Sequence, residues 1–174
     1  MSGRQSVIVL ETEFRKTKAL ADAAVAQIGD ADLHAKLNPL QNSVAVIMQH
    51  IAGNAVSRFT DFLTTDGEKP TRDRESEFAD RHLARADLLA LWEQGWKCLF
   101  DATTSLSDAD LSRIITIRKE PHTVLQALVR QIAHYGWHAG QIALLAKHFK
   151  GDAWTYLTIA PNQSADFNRR MMGR

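Results

Sequence analysis

Residues 134–141 read His134-Tyr135-Gly136-Trp137-His138-Ala139-Gly140-Gln141. They lie late in the longest helical pattern of the chain, residues 122–150, whose apolar stripe is Leu125, Leu128, Ile132, Tyr135, Ala139, Ile142, Ala146 and Phe149. A helix turns about 100° per residue, so residues four apart stand almost one above the other. His134 and His138 therefore share a face, with Gln141 beside them and Arg130 and Gln131 one turn earlier. Neutral imidazole is the commonest metal ligand, and two at i and i+4 make half of a metal site. A plainer reading stands beside this one: two surface histidines brought to one face by chance. A zinc-protease helix is not supported, because that motif needs Glu directly after the first His, and Tyr135 holds the place.

The histidine line is turned about 100° from the middle of the apolar stripe. Trp137 and Leu144 lie on its far side. The histidines thus sit between two apolar surfaces, one to pack inside the molecule and one to meet a second copy. Gly136 and Gly140 would let another helix approach closely.

Working toward the N-terminus, residues 85–103 form a helical pattern with Leu88, Leu91, Trp92, Gly95 and Leu99 inward and Trp96 and Cys98 on its flanks. Residues 42–63 form another, with Asn42 or Ser43 as N-cap and Val44, Ile47, Met48, Ile51, Ala55, Phe59 and Phe62 as its stripe. His50 sits at the edge of that stripe among small and polar neighbours that suit a cleft, although a hydrogen-bonded interhelical histidine is the simpler reading. Residues 6–28 form a first helix, Val7, Leu10, Phe14, Ala21, Ala24, Val25 and Ile28 inward, ended by Gly29.

Residues 64–77 are densely charged and read as a solvated loop, long enough to cover something. Ile114 to Arg118 is β-branched and brief, a short strand or an extended arm. Pro121 suits the first turn of the last long helix, and Gly151 its end. The apolar residues of Trp154 to Phe167 suggest a tail docked on the helices. Four long helical patterns in 174 residues point to one all-α domain spanning 1–174, a four-helix bundle with a docked C-terminal tail.

A formal net charge of +1, with both signs interspersed, gives no electrostatic case for nucleic acid or an anionic membrane. The opening residues lack the apolar core of a signal peptide, and no apolar run reaches bilayer length. Cys98 is alone, so no intrachain disulfide forms; a cytoplasmic setting is expected.

A bundle can bring His50 beside His134 and His138. Three neutral imidazoles leave positions of a divalent ion open, as in catalytic sites. Asn54, Gln131 and Gln141 are candidates to orient the rings from behind. His34, His82, His122 and His148 read as surface or cap residues. Ile47-Met48-Gln49-His50-Ile51-Ala52-Gly53-Asn54 together with residues 134–142 resembles the DinB-like (damage-inducible) metal-binding four-helix bundles, which are unrelated to the DNA polymerase that shares the name. The resemblance covers nearly the whole chain. Its tail is similar to that of an uncharacterised subgroup ending in Trp-x-x-Leu-Ser-Ile-Pro-x-Gly-Gln-Ser, with Thr158 for Ser, Ala160 for Pro and Asn162 for Gly. The resemblance implies a bundle, usually a homodimer, with a divalent ion on His50, His134 and His138. Zinc and nickel lead among the metals, with iron as a third option.

It implies function less directly. Relatives include transferases and isomerases that use a low-molecular-weight thiol, so a metal-dependent thiol S-transferase is the first expectation. Arg130 would contact a substrate carboxylate, or be only a solvated helix charge. A metal-dependent hydrolase is a second expectation, weakened because no Asp or Glu lies between Leu125 and Lys150. A non-enzymatic dimeric stress-response protein with a structural metal is the third.

Overall fold

The computed structural model describes residues 3–173. Met1 and Ser2, the start of the N-terminal stretch discussed above, lie outside the described residues. The described chain is mostly helical with one small hairpin: α1 (Gln5–Val25), α2 (Asp30–His34), α3 (Val44–Phe59), α4 (Arg74–Phe78), α5 (Arg85–Thr104), β1 (Ile114–Ile117), β2 (Glu120–Thr123), α6 (Val124–Lys150) and α7 (Ser164–Met172). Short 3-10 turns follow α5 and α6 at Asp108–Ser112 and Gly151–Ala153. Among the described residues no helix is long and apolar enough to cross a membrane.

The four long patterns are all helices, packed α3 against α5 and α1 against α6, with α3–α6 and α1–α5 contacts joining the pairs. The core they enclose is apolar, with Phe14, Met48, Ile51, Leu88, Trp92, Trp96, Leu99, Leu128, Tyr135 and Ile142 fully buried. At the α3–α5 crossing a Cβ added to Gly95 would fall 2.7 Å from the Ala52 Cα, so only glycine lets the two backbones meet there. Trp96, placed on a flank by periodicity, is buried and stacks edge-on against Tyr135 of α6.

Several boundaries differ from the sequence reading. Gly29 does not end the first helix; it is the N-cap of α2, its N–H held by the Asp32 carboxylate at 3.0 Å. Ser43 caps α3, accepting from the Val46 N–H at 3.3 Å, and the helix stops at Phe59. Ile114–Ile117 is a strand, but Pro121 belongs to its antiparallel partner β2 and faces Thr116. That two-stranded hairpin leaves the missing Pro N–H without consequence. The α6 N-terminus is instead closed by Thr123 and Gln126, whose side chains each accept the other's backbone N–H at 3.1 and 2.8 Å. Leu125, counted in the inner stripe, is exposed; Val124 and Ala127 are buried in its place.

The tail docks in its first part. Trp154 and Leu157 pack against the core, and the Gln27 amide grips Thr155, donating to its carbonyl at 3.0 Å and accepting from its N–H at 2.8 Å. Asn162 adopts a left-handed φ of 65°, a conformation Asn tolerates, so the turn expected where the resembling tails carry glycine is kept. α7, which periodicity did not announce, has no buried residue.

Candidate metal centre

α3 is buried almost all round, which an amphipathic stripe does not predict: fourteen of its sixteen residues are inside. The polar face that carries Gln49, His50, Ser57 and Arg58 is covered by residues 64–83. The first part of that segment, residues 64–77, reads in the sequence as a solvated connection; the whole is a strap that supplies partners to that face. Gln49 donates to the Ala79 carbonyl at 2.9 Å. Ser57 donates to the Gly67 carbonyl at 3.0 Å, and Arg58 also donates to it. Arg58 pairs with Glu68 at 3.0 Å. His50 Nδ1 meets Glu77 Oε2 at 2.9 Å, and Arg72 holds both Glu77 oxygens at 2.7 Å.

The geometry around Glu77 is tight. A Cβ on Gly53 would come within 2.6 Å of Glu77 Oε1, so glycine at that point of α3 gives the carboxylate its seat. Burial pushes the Glu77 carboxyl up, but hydrogen bonds from His50 and Arg72 and the Arg72 charge outweigh it and hold the group ionised. Glu77 is thus a buried, charged acceptor behind His50. Sequence reasoning missed it, because one carboxylate in a fourteen-residue charged stretch has no periodicity to mark it.

Across the interface, α6 brings its histidines to the same point. His50 Nε2 lies 3.3 Å from His134 Nε2, which lies 3.1 Å from His138 Nε2. His138 Nδ1 is 2.7 Å from Gln141 Oε1. Glu77 and Gln141 present oxygen acceptors, so the proton of each imidazole is on Nδ1 and the lone pair is on Nε2. His134 Nε2 can donate to one neighbour at most, so at least one close N···N contact sets lone pair against lone pair. A cation between them removes that repulsion. Bond lengths of about 2.05 Å in a tetrahedral zinc site put ligand nitrogens roughly 3.3 Å apart, which matches this spacing. The three rings form one of two groups among the described residues able to hold a metal ion. Burial first, then the neighbouring His138, His50, Arg130 and Arg58 charges, push His134 down to about 4, so its ring is neutral near pH 7.

The other proposed orienting residues act differently. Asn54 Oδ1 accepts from Gln131 Nε2 at 2.6 Å and from the Tyr135 hydroxyl at 3.0 Å. This buried cluster ties α3 to α6 beside the histidines, and hydrogen-bonds to none of them. The second histidine group is His34, Asp80 and His82, where His34 Nδ1 meets Asp80 Oδ1 at 2.9 Å and Nε2 meets the Leu83 carbonyl at 3.1 Å. Both ring nitrogens of His34 face protein oxygens, and the group reads as a clasp between α2 and the end of the strap. His122 is half-buried and His148 exposed, away from the centre. Cys98 is half-buried against the Thr60 hydroxyl.

His50 and His134 open onto a cleft of about 380 Å³ that no carboxylate lines. A profile described as "Protein of unknown function (DUF1572)" matches residues 2–163, nearly the whole chain. The chain belongs to the DUF1572 family. That family lies in the DinB-like clan, so the resemblance read from residues 47–54 and 134–142 holds at the level of the clan. Comparison with the curated proteins and with the solved structures returned no match.

Proposed function

We propose that this DUF1572 protein is a four-helix bundle of the metal-binding DinB-like kind. His50, His134 and His138 hold one divalent ion, zinc or nickel before iron, and the bound ion serves a low-molecular-weight thiol in an S-transfer reaction. The placement of His134 Nε2 3.3 Å from His50 Nε2 and 3.1 Å from His138 Nε2, the two outer rings fixed from behind by Glu77 and Gln141, carries the reading. A divalent ion on three imidazoles keeps a position open and lowers the pKa of a thiol bound there.

The chain's own residues do the rest. Glu77 and Gln141 fix the tautomers, which keeps the lone pairs aimed inward. The Asn54–Gln131–Tyr135 cluster holds α3 and α6 at the separation the three rings require. The cleft beside His134 admits the electrophile. There the S–H proton goes to solvent, a carbon–sulfur bond forms, and the leaving group departs with its electron pair.

The hydrolase reading is weaker for a structural reason. Glu77 is the carboxylate nearest the centre in this arrangement, but it is held by Arg72 behind His50, on the side away from the lone pairs. No carboxylate in the cleft is placed to take a proton from water. A second copy is proposed to cover the outer face of α6, where Trp137 and Leu144 are exposed and nothing lies over Gly136 or Gly140.

The test is metal analysis of the purified protein followed by thiol consumption with an electrophile, native against His50→Ala. Zinc- or nickel-dependent turnover lost in the variant supports the transferase; equal rates remove it.

A further inference from the structure

The cleft beside the histidines is lined by five guanidiniums, Arg58, Arg72, Arg74, Arg118 and Arg130, and by no carboxylate. Their existing partners do not balance them. Arg58, Arg72 and Arg118 share Glu68, at 3.0, 3.1 and 3.2 Å, and Arg72 also holds Glu77. Arg74 lies over the Phe78 ring and has as its carboxylate partner the exposed Glu75, at 3.6 Å. Arg130 makes no ion pair among the described residues and stands one helical turn, roughly 6 Å, before His134 on the same face of α6.

Arg58 and Arg72 are almost wholly buried at their side chains, and their positions are set by the strap. Arg118 is delivered by a two-residue hairpin turn in which Arg118 and Lys119 have φ of 56° and 65°. Turns of that hand favour Asn-Gly, and neither residue here is of that kind. Asp66 clamps both backbone N–H groups at 2.8 Å and keeps the turn in place. The fold thus maintains an unfavourable turn that sets a guanidinium at the rim of the cleft.

We infer that the small molecule used at the histidine centre carries an oxyanion group, carboxylate or phosphate, which Arg130 and Arg118 bind at the cleft while its other end reaches the three Nε2 atoms. This deepens the proposed function and rests on it for the role of the centre. Guanidinium presents a planar fork of N–H donors that fits either oxyanion. Five cations against three carboxylates, Glu68, Glu77 and the exposed Glu75, leave the cleft with net positive charge that an anion neutralises. The exposed faces of Arg118 and Arg130 keep the approach open.

Calorimetric titration of protein freed of metal by chelator separates this inference from the metal reading. The probes are citrate and inorganic pyrophosphate, with uncharged glucose as control. Binding of at least one anion and not of glucose is expected, weakened at least tenfold in Arg130→Gln and severalfold in Arg118→Gln. Arg169→Gln, in the remote α7, should bind within twofold of native. The tighter of the two anions identifies the oxyanion. Absence of binding by both anions, or equal binding by native protein and Arg130→Gln, overturns the inference whether or not metal binds. Failure to take up zinc or nickel in separate dialysis overturns the metal reading alone.

Discussion

Glu77 is the residue on which the centre turns, although it donates no ligand atom to it. It holds the His50 proton on Nδ1 and is held in turn by Arg72 and by the space that Gly53 leaves. Replacing an outer partner of a ligating histidine typically lowers metal affinity 10–100-fold. Glu77→Gln is expected to do this for zinc, read by competition with a chromogenic chelator, while circular dichroism stays native. An unchanged affinity would show that His50 needs no partner. Gly53→Ala acts on the same contact from the helix side. Its Cβ would displace a carboxylate pinned by two partners, so a loss of about 1–3 kcal/mol of stability in urea titration is expected together with weaker metal binding. A destabilised variant that kept full affinity would break the link between the seat of Glu77 and the ring of His50.

At the scale of elements, the strap and the hairpin are one unit. Asp66 joins them through the Arg118 and Lys119 N–H groups. Burial pushes its carboxyl up, but the N–H groups of Glu68, Lys119 and Arg118 outweigh this and hold it well below the ordinary 3.8. A carboxyl depressed in the folded state contributes stability that is present above its unfolded pKa and lost as pH falls toward the folded value. The join should therefore loosen below pH about 4 and not at neutral pH. Hydrogen exchange of the Arg118 and Lys119 amides reads this directly: protection should fall on acidification once the intrinsic rate is allowed for, and Asp66→Asn should lower it already at pH 7. Protection equal in the variant and the native protein would contradict the role given to Asp66.

Legibility divides at this same scale. The long helices were readable because a buried stripe imposes a period, and Val7, Phe14, Met48, Ile51, Leu88, Trp92, Leu128 and Ile142 all lie where that period puts them. The i, i+4 histidines were readable for the same reason. The strap was not: the Arg72 and Glu77 side chains are inside, and Glu68 half-buried, because they neutralise one another and the polar face of α3, and composition alone assigns such residues to solvent. β2 was missed because Glu120-Pro121-His122 carries no strand pattern; it is a strand because β1 pairs with it. α2 and α4 are single turns, too short for periodicity to show.

For the whole molecule, the proposed ion joins helices far apart in the chain, α3 and α6, so its binding must appear as stability. A ligand that binds only the folded form at 100 times its Kd adds about 2.7 kcal/mol. Thermal melting should rise with added zinc or nickel and fall on chelation, and His134→Ala should lose the response. A chelator-insensitive melt would leave the three rings without a metal. The outer face of α6 makes a second claim at this scale. Trp137→Glu should shift a dimer to monomer in light scattering after gel filtration; a native protein that is already a monomer at micromolar concentration would refute the proposed pairing.

The claim beneath all of these is that His50, His134 and His138 act as one site. Equilibrium dialysis against zinc with elemental analysis, on native protein and on the variant with all three histidines changed to alanine, tests it most directly. One ion retained per native chain and none in the folded variant is the predicted result. Equal retention by both proteins, or none by either, would contradict it.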